Sequence, residues 1–140
     1  MTGALTAVAV LAAATLFGLL WRRRDGVLRE RNGNDEVSEI LAPGDLGTDL
    51  GEKATLVQFS SAFCAPCRAT RRVLGEVAGM VDGVAHVELD AEAHLDLVRR
   101  LNVIRTPTVL VLDAAGRVVR RASGAPRKPD VIAALGEAIP

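Results

Sequence analysis

The stretch SSAFCAPCRATRR, residues 60–72, decides how the rest of the chain is interpreted. It holds Cys64 and Cys67, the only two cysteines among 140 residues, with Ala and Pro between them. A short β-branched apolar run precedes the stretch and a helical pattern follows it, so the cysteines stand where a strand gives way to a helix. Such a pair can bind a metal ion, exchange electrons with other proteins or simply be buried.

A structural metal site is poorly supported by the rest of the sequence. Zinc usually takes four ligands, from two Cys pairs or from a Cys pair and a His pair. The two histidines of the chain, His86 and His94, stand on different predicted elements and lack the spacing of a zinc finger. A metal would therefore need ligands from two chains. Burial as a small hydrophobe would explain one cysteine, but not two that flank Ala-Pro at a helix start.

A redox role accounts for each residue of the motif. Unpaired N–H groups and the helix dipole stabilise a thiolate at a helix start, which is where Cys64 falls. The thiolate is the nucleophile of disulfide chemistry, so this position favours reactivity near neutral pH. Cys67 comes one helical turn later, close enough to form a disulfide with Cys64. Pro66 suits the first helical turn, where it removes no needed hydrogen bond.

Hydrophobic patterns after residue 53 predict one α/β domain. Short β-branched runs alternate with segments that carry apolar residues at helical spacing. The expected order is β-α-β-α-β-β-α, with a mixed central sheet flanked by helices. Strands separated by helical patterns are expected to be parallel, and the last hairpin to be antiparallel with an edge strand. The predicted strands are residues 54–60, 84–90, 107–113 and 117–123, and the predicted helices are residues 65–80, 91–102 and 128–139.

The N-terminal segment is typical of a membrane anchor. Residues 1–21 contain no charged side chain, and about 20 residues of helix cross a hydrocarbon core of about 30 Å. Trp21 falls where an interfacial aromatic would lie, and three arginines follow it. A cleavable signal peptide, the main alternative, normally begins with basic residues that this run lacks. We therefore expect a transmembrane anchor at 1–21, a linker and domain lead-in at 22–53, and one domain at 54–140.

Charge predicts an orientation and excludes one class of partner. Five arginines lie between residues 22 and 31, whereas no Lys or Arg precedes the apolar run. The positive-inside rule then predicts a single-pass protein of the cell membrane with its C-terminal domain in the cytoplasm, where thiols stay reduced. An extracytoplasmic domain is the alternative. With 17 basic and 17 acidic side chains, the chain lacks the basic excess of a general nucleic-acid binder.

These motifs together resemble the thioredoxin superfamily over about residues 54–139. FCAPC after the strand TLVQFS is similar to the family's active-site motif W-C-G-P-C, and RTPTVLVLDAAGRVV is similar to its later strand, which a cis-proline precedes. The resemblance implies a thioredoxin-like fold. It also implies that Cys64 attacks a partner's disulfide and that Cys67 resolves the mixed disulfide. By the same resemblance, Pro107 is the cis-proline beside them, and Thr106 offers backbone groups to the bound partner.

The chain departs from the family pattern at several positions. Phe63 replaces the usual Trp, and Ala65 replaces the usual Gly. Gln58 stands at the strand position that often carries a buried Asp, which takes part in proton transfer to the resolving cysteine. Since Gln does not titrate, proton handling would pass to another group or to water. His86, which aligns roughly with a Lys near that Asp, is one candidate for that group, and a packed or surface His is the alternative. The residues expected to shape the site are Phe63, Ala65, Pro66, Thr106 and Pro107.

The sequence therefore predicts a membrane-tethered thiol–disulfide oxidoreductase that reduces disulfides in partner proteins. The family's N-terminal strand and helix are not evident before residue 54, which indicates a trimmed, specialised relative. The redox group would be the Cys64–Cys67 disulfide, with no other cofactor and no metal, and an unidentified electron donor or acceptor would complete the cycle. The alternatives are a binding module that keeps the fold without turnover and, less well supported, a metal or iron–sulfur carrier formed by two chains.

Overall fold

The computed structural model describes residues 2–24, 26–30 and 39–140. The first helix, α1 (Thr2–Arg24), follows the apolar run and continues through the three arginines. None of its side chains is buried against the rest of the described chain. Its 23 residues span about 34 Å, which is long enough to cross a membrane. By length and composition, α1 qualifies either as a membrane span or as a signal sequence.

The remaining elements reproduce the predicted order. From residue 54 onward they run β-α-β-α-β-β-α, as expected of a thioredoxin-like fold, and two short elements precede that series. In chain order they are β1 (Arg29–Glu30), α2 (Pro43–Leu46), β2 (Ala54–Ser60), α3 (Ala65–Met80), β3 (Val84–Asp90), α4 (Leu95–Arg100), β4 (Thr108–Asp113), β5 (Val118–Ser123) and α5 (Lys128–Ala138).

The strands form one mixed sheet in the order β1-β5-β4-β2-β3. β2 and β3, which α3 connects, are parallel as predicted. β4 runs antiparallel to β2, so the expectation that every helix-separated strand is parallel was wrong. The reason is the length of α4: six residues of helix span about 9 Å and cannot return along a seven-residue strand of about 23 Å. β3 therefore ends, and β4 begins, at the same edge of the sheet.

Two local expectations also need correction. The helix predicted at 91–102 is limited to Leu95–Arg100. Asp90 holds the residues before it in a turn, because its carboxylate accepts a hydrogen bond from the Glu92 N–H and its carbonyl one from the Ala93 N–H. β5 is not an outer edge along its whole length, since β1 pairs antiparallel with it.

The segment before β2, which the sequence suggested was a linker and lead-in, contributes to the core. Leu41 and Leu46 are 1% and 4% exposed and belong to the apolar cluster on one face of the sheet. The Leu41 N–H donates to the Gly116 carbonyl at 2.9 Å, so the backbone is also fixed there. Folded structure thus begins upstream of residue 54, while the division of the chain into domains stays a prediction.

Two apolar clusters lie on opposite faces of the sheet, because side chains alternate along each strand. In β2, Val57 and Phe59 face the cluster that includes α4, whereas Ala54 and Leu56 face the cluster that includes α3 and α5. Gln58 lies two residues after Leu56 and therefore faces α3. β2 is buried over its whole length, so the Gln58 amide must find its partners inside the protein.

Candidate active site

Cys64 and Cys67 form a disulfide at the start of α3. The S–S distance is 2.00 Å and the Cα–Cα distance is 5.3 Å. Cys64 is the N-cap residue, and Pro66 occupies the first helical turn, where its missing N–H is not needed. Cys64 is half-buried, whereas Cys67 is 2% exposed. A partner can therefore approach the first cysteine more readily than the second.

Pro107 lies on the neighbouring strand connection. The Thr106–Pro107 peptide bond is cis, which confirms what the resemblance implied. Phe59 pairs with Thr108 across β2 and β4, so the residues that follow β2 lie opposite those that precede β4. The hydroxyl oxygens of Ser61 and Thr106, 3.1 Å apart, join the two segments by a hydrogen bond. Residues 60–67 and 104–108 therefore share one edge of the sheet, here called the cysteine edge.

Apolar side chains are exposed on the cysteine edge. Phe63, which immediately precedes Cys64, is 100% exposed, and Ile104 is 80% exposed. Ala65 and Pro66 are exposed as well. Exposed apolar groups around a reactive disulfide offer contact area to a partner. Sequence reasoning missed Ile104, because an apolar residue in a loop is ordinary until the fold places it beside the cysteines.

Gln58 is the centre of a buried polar network. Its side chain is 0% exposed. Its Nε2 donates to the carbonyl of Cys67 at 2.9 Å and to the hydroxyl of Ser60 at 3.0 Å. Its Oε1 lies 3.1 Å from Nε2 of His86. Because an amide oxygen only accepts hydrogen bonds, His86 carries a proton on Nε2. The fold therefore links Gln58 and His86 to the backbone of the buried cysteine.

Glu88 and Arg71 extend this network to the surface. The Arg71 guanidinium binds both carboxylate oxygens of Glu88, one of them at 2.6 Å. Hydrogen bonding from Arg71 lowers the pKa of Glu88, and the same contact raises the pKa of Arg71. Ser60, whose hydroxyl accepts from Gln58, also lowers the pKa of Glu88. The exposed Arg71 is therefore ion-paired with Glu88 at the surface.

His86 is neutral near pH 7. Burial lowers its pKa from the ordinary value of 6.5, and the nearby charge of Glu88 opposes this effect without cancelling it. With its proton on Nε2, the ring keeps Nδ1 as an acceptor.

A cleft of about 370 Å³ opens beside the network. The cleft is open to solvent. Ser60 and Glu88 line the cleft and also belong to the polar network, so the part of the network formed by these two residues has access to bulk water. In the part of the chain that the structure describes, no three His, Cys, Asp or Glu side chains are grouped to hold a metal ion. The cleft is lined by Ser60, Ser61, Ala62, Glu88 and Asp90.

Comparisons with known proteins agree with this geometry. Residues 45–137 match the family model described as Thioredoxin. The thioredoxin of Mycobacterium tuberculosis is 30% identical over 103 residues, which cover 71% of this chain and 88% of that protein. The thioredoxin of Mycolicibacterium smegmatis is 29% identical over 110 residues, covering 75% and 97%. Thioredoxin domain-containing protein 2 of Mus musculus is 30% identical over 84 residues, which cover 60% of this chain but only 15% of that longer protein.

Solved structures share the same fold. The chain superimposes on chloroplastic thioredoxin z with a TM-score of 0.59 and 24% identity, covering 71% of this chain and 92% of that one. A mutant thioredoxin from Halobacterium salinarum gives a TM-score of 0.59 and 19% identity, covering 69% and 81%. The family model covers more than half of the chain, and the two cysteines of the motif are bonded at the helix start. The chain belongs to the thioredoxin family and is a thiol–disulfide oxidoreductase.

Proposed function

We propose that the chain is a membrane-tethered thiol–disulfide oxidoreductase that reduces disulfides in partner proteins through Cys64 and Cys67. The observation that carries the proposal is the disulfide between these residues at the start of α3, on the same edge of the sheet as Pro107. The redox group is the cysteine pair itself, whose dithiol form supplies two electrons.

The reaction proceeds by two exchanges. In the reduced protein, the Cys64 thiolate attacks one sulfur of the partner's disulfide; a mixed disulfide forms, and the partner's other sulfur leaves as a thiolate that takes up a proton. Cys67 then loses its proton and attacks Sγ of Cys64. This step closes the intramolecular disulfide, releases the partner's second thiolate and completes the transfer of two electrons. The accessibility of Cys64 and the burial of Cys67 support this division of roles.

Gln58 and His86 serve the second exchange. Gln58 acts as a positioning residue, since its hydrogen bond to the Cys67 carbonyl holds the first turn of α3. His86 hydrogen-bonds Gln58 through Nε2, and its neutral ring keeps Nδ1 as an acceptor for a proton. It therefore takes up the proton that Cys67 releases.

The partner docks on the cysteine edge. The exposed Phe63, Ala65 and Pro66 supply apolar contact area next to Cys64. Thr106 and Pro107 lie across from them, and the half-buried Thr106 offers backbone groups to an extended segment of the partner. A cis-proline supplies no N–H of its own, so the hydrogen bonds come from its neighbour.

The helix α1 tethers the domain to the membrane. Its length and its mean hydropathy of 2.2 support a span, as does the absence of buried side chains along it. Arg22, Arg23 and Arg24 follow the apolar part and favour a cytoplasmic domain. In that compartment an electron donor keeps the thiols reduced, so the direction of exchange is reduction of partner disulfides.

Reduction of insulin disulfides by the full-length chain tests the exchange chemistry. With a small dithiol as the source of electrons, the unaltered protein is expected to accelerate insulin reduction, and Cys64→Ser to abolish the acceleration. A Thr48→Ser variant, which changes an exposed residue before the domain's sheet, is the matched control and should behave as the unaltered protein. Equal rates for the unaltered protein and Cys64→Ser would contradict the proposal and favour a binding module.

A further inference from the structure

The end of α1 lies very close to the folded domain. α1 ends at Arg24, and the backbone is described again from Gly26. Two peptide links can separate the Cα atoms of these residues by at most about 7 Å, whatever the conformation of the residue between them. Trp21, the expected interfacial residue, lies three helical residues before Arg24, or about 4.5 Å along the axis, so Gly26 lies within about 12 Å of the point where α1 leaves the membrane if it spans one.

Gly26 is fixed to the domain rather than being part of a free tether. Its N–H donates to the carbonyl of Ser123 at 3.2 Å. Its φ is +74°, and a Cβ added to it would lie 1.9 Å from the carbonyl oxygen of Ala125, so only glycine fits this close approach. Two residues later, Leu28 packs against the apolar cluster shared by α3 and α5. β1 then pairs with β5, which continues the attachment.

The attachment point lies at the cysteine edge. Ser123, the last residue of β5, pairs with Thr108, the first residue of β4. The next residue, Gly124, donates its N–H to the carbonyl of Pro107 at 2.7 Å. Neighbouring strands are about 4.8 Å apart, so Gly26 lies about 10 Å from the cis-proline and about 15 Å from the residues that follow β2. The opposite edge of the sheet is a full strand length, about 20 Å, farther away.

We propose that the cysteine edge faces the bilayer, so that the substrates of this protein are disulfides in membrane proteins, held within a few residues of the membrane surface. The inference rests on the proposed membrane span and adds the substrate class. A globular domain of 100 residues has a radius of gyration of about 13 Å, so its diameter exceeds the distance of about 15 Å between Gly26 and the residues that follow β2, and the bilayer hinders its approach to Cys64. An extended segment close to a transmembrane helix of the partner meets no such barrier.

The side chains of this edge suit such a partner. Phe63 and Ile104 are exposed on it and can contact the apolar flank of a juxtamembrane segment. Arg22, Arg23 and Arg24 lie at the adjoining helix end, where they attract anionic lipid headgroups and keep the domain close to the surface.

Distance to the headgroups tests the orientation. In the full-length chain carrying Cys64→Ser and Cys67→Ser, a single fluorophore is attached at Ile104→Cys or, as the matched control, at Met80→Cys, and each protein is reconstituted into vesicles whose headgroups carry a quencher. Both positions are well exposed, and Met80 lies at the far end of α3, about 24 Å from the cysteines. We expect quenching at 104 to exceed quenching at 80 about threefold or more, since the difference in distance is about 20 Å. Equal quenching, or stronger quenching at 80, would overturn the orientation.

A kinetic measurement with the native cysteines gives an independent test. About 20 Gly and Ser residues inserted between Arg24 and Gly26 extend the tether by about 25 Å on average. In vesicles, this variant should reduce insulin about threefold faster than the unaltered chain, because soluble substrates then reach the cysteine edge. The same 20 residues added after Pro140 are the control and should change nothing. An unchanged rate with the inserted segment would overturn the inference.

Failure of the underlying proposals gives different results. If alkaline carbonate released the unaltered chain from vesicles, the proposed membrane span would be overturned, and the proposed orientation with it. Loss of insulin reduction by the detergent-solubilised chain would overturn the exchange chemistry, whatever the quenching pattern. Retention in the membrane with active exchange, but equal quenching at the two positions, would overturn the orientation alone.

Discussion

Replacement of Gln58 by Leu tests whether the buried network supports the cysteine site. Leu is close to Gln in size but makes no hydrogen bond, so the Cys67 carbonyl, the Ser60 hydroxyl and the His86 ring each lose a partner. A hydrogen bond contributes about 1 kcal/mol net, and a buried group left unsatisfied costs about 1–3 kcal/mol. Ser60 lines the open cleft and His86 is half-buried, so both can meet water, and the Cys67 carbonyl keeps its helical hydrogen bond from the Arg71 N–H within α3. The cost is therefore that of about three lost hydrogen bonds. We expect the free energy of unfolding to fall by about 2–4 kcal/mol.

Urea denaturation of the oxidised chain lacking α1, followed by circular dichroism, measures this change. Thr70→Val is the matched control, since Thr70 is 1% exposed on α3 and its hydroxyl donates to the Pro66 carbonyl at 3.0 Å. Loss of that one hydrogen bond should cost about 1 kcal/mol. A Gln58→Leu variant that is no less stable than Thr70→Val would refute the reasoning, because the network would then contribute nothing beyond an ordinary hydrogen bond.

Three further predictions concern the exchange, the core and pH. Cys67→Ser should trap mixed disulfides with partner proteins, visible as thiol-sensitive bands on non-reducing gels, whereas Cys64→Ser should trap none, because only Cys64 starts the exchange. Leu110→Ala should lower the free energy of unfolding by about 2–5 kcal/mol in urea, since Leu110 is 1% exposed in the core. Burial lowers the pKa of His86 in the folded chain, so as the pH falls the unfolded chain takes up a proton on His86 before the folded chain does. The free energy of unfolding should therefore decrease below about pH 6.5, and His86→Asn should remove that decrease. Arg71 lowers the pKa of Glu88, so protonation of Glu88 lowers the free energy of unfolding only below about pH 4.5. The pH ranges in which His86 and Glu88 affect stability are therefore separable.

Much of the fold was predictable because its strongest signals are local. β2, α3 and β3 begin and end at the predicted residues, since each is an apolar run or a helical pattern bounded by turn residues. The cysteine pair was predictable for the same reason: the change from strand to helix and the spacing of two residues are visible in one short stretch. The cis bond before Pro107, in contrast, was available only through resemblance to a family.

The remaining features depend on tertiary structure. The direction of β4 follows from the shortness of α4, and that shortness depends on the turn that Asp90 makes after β3. The contact of Arg71 with Glu88 needs α3 to cross beside β3, which no spacing in the sequence expresses. The attachment of Gly26 to β5 joins residues almost 100 positions apart, and the two-residue strand that follows is too short to give a pattern.

The central claim, that Cys64 is held ready as a nucleophile, is tested most directly by its alkylation. The rate of reaction of iodoacetamide with the Cys67→Ser chain, in which Cys64 is the only thiol, should be measured as a function of pH. The claim predicts a half-maximal rate at least about one pH unit below 8.5, the ordinary value for free cysteine, because the start of α3 stabilises the thiolate. A half-maximal rate at about pH 8.5 or above would contradict it.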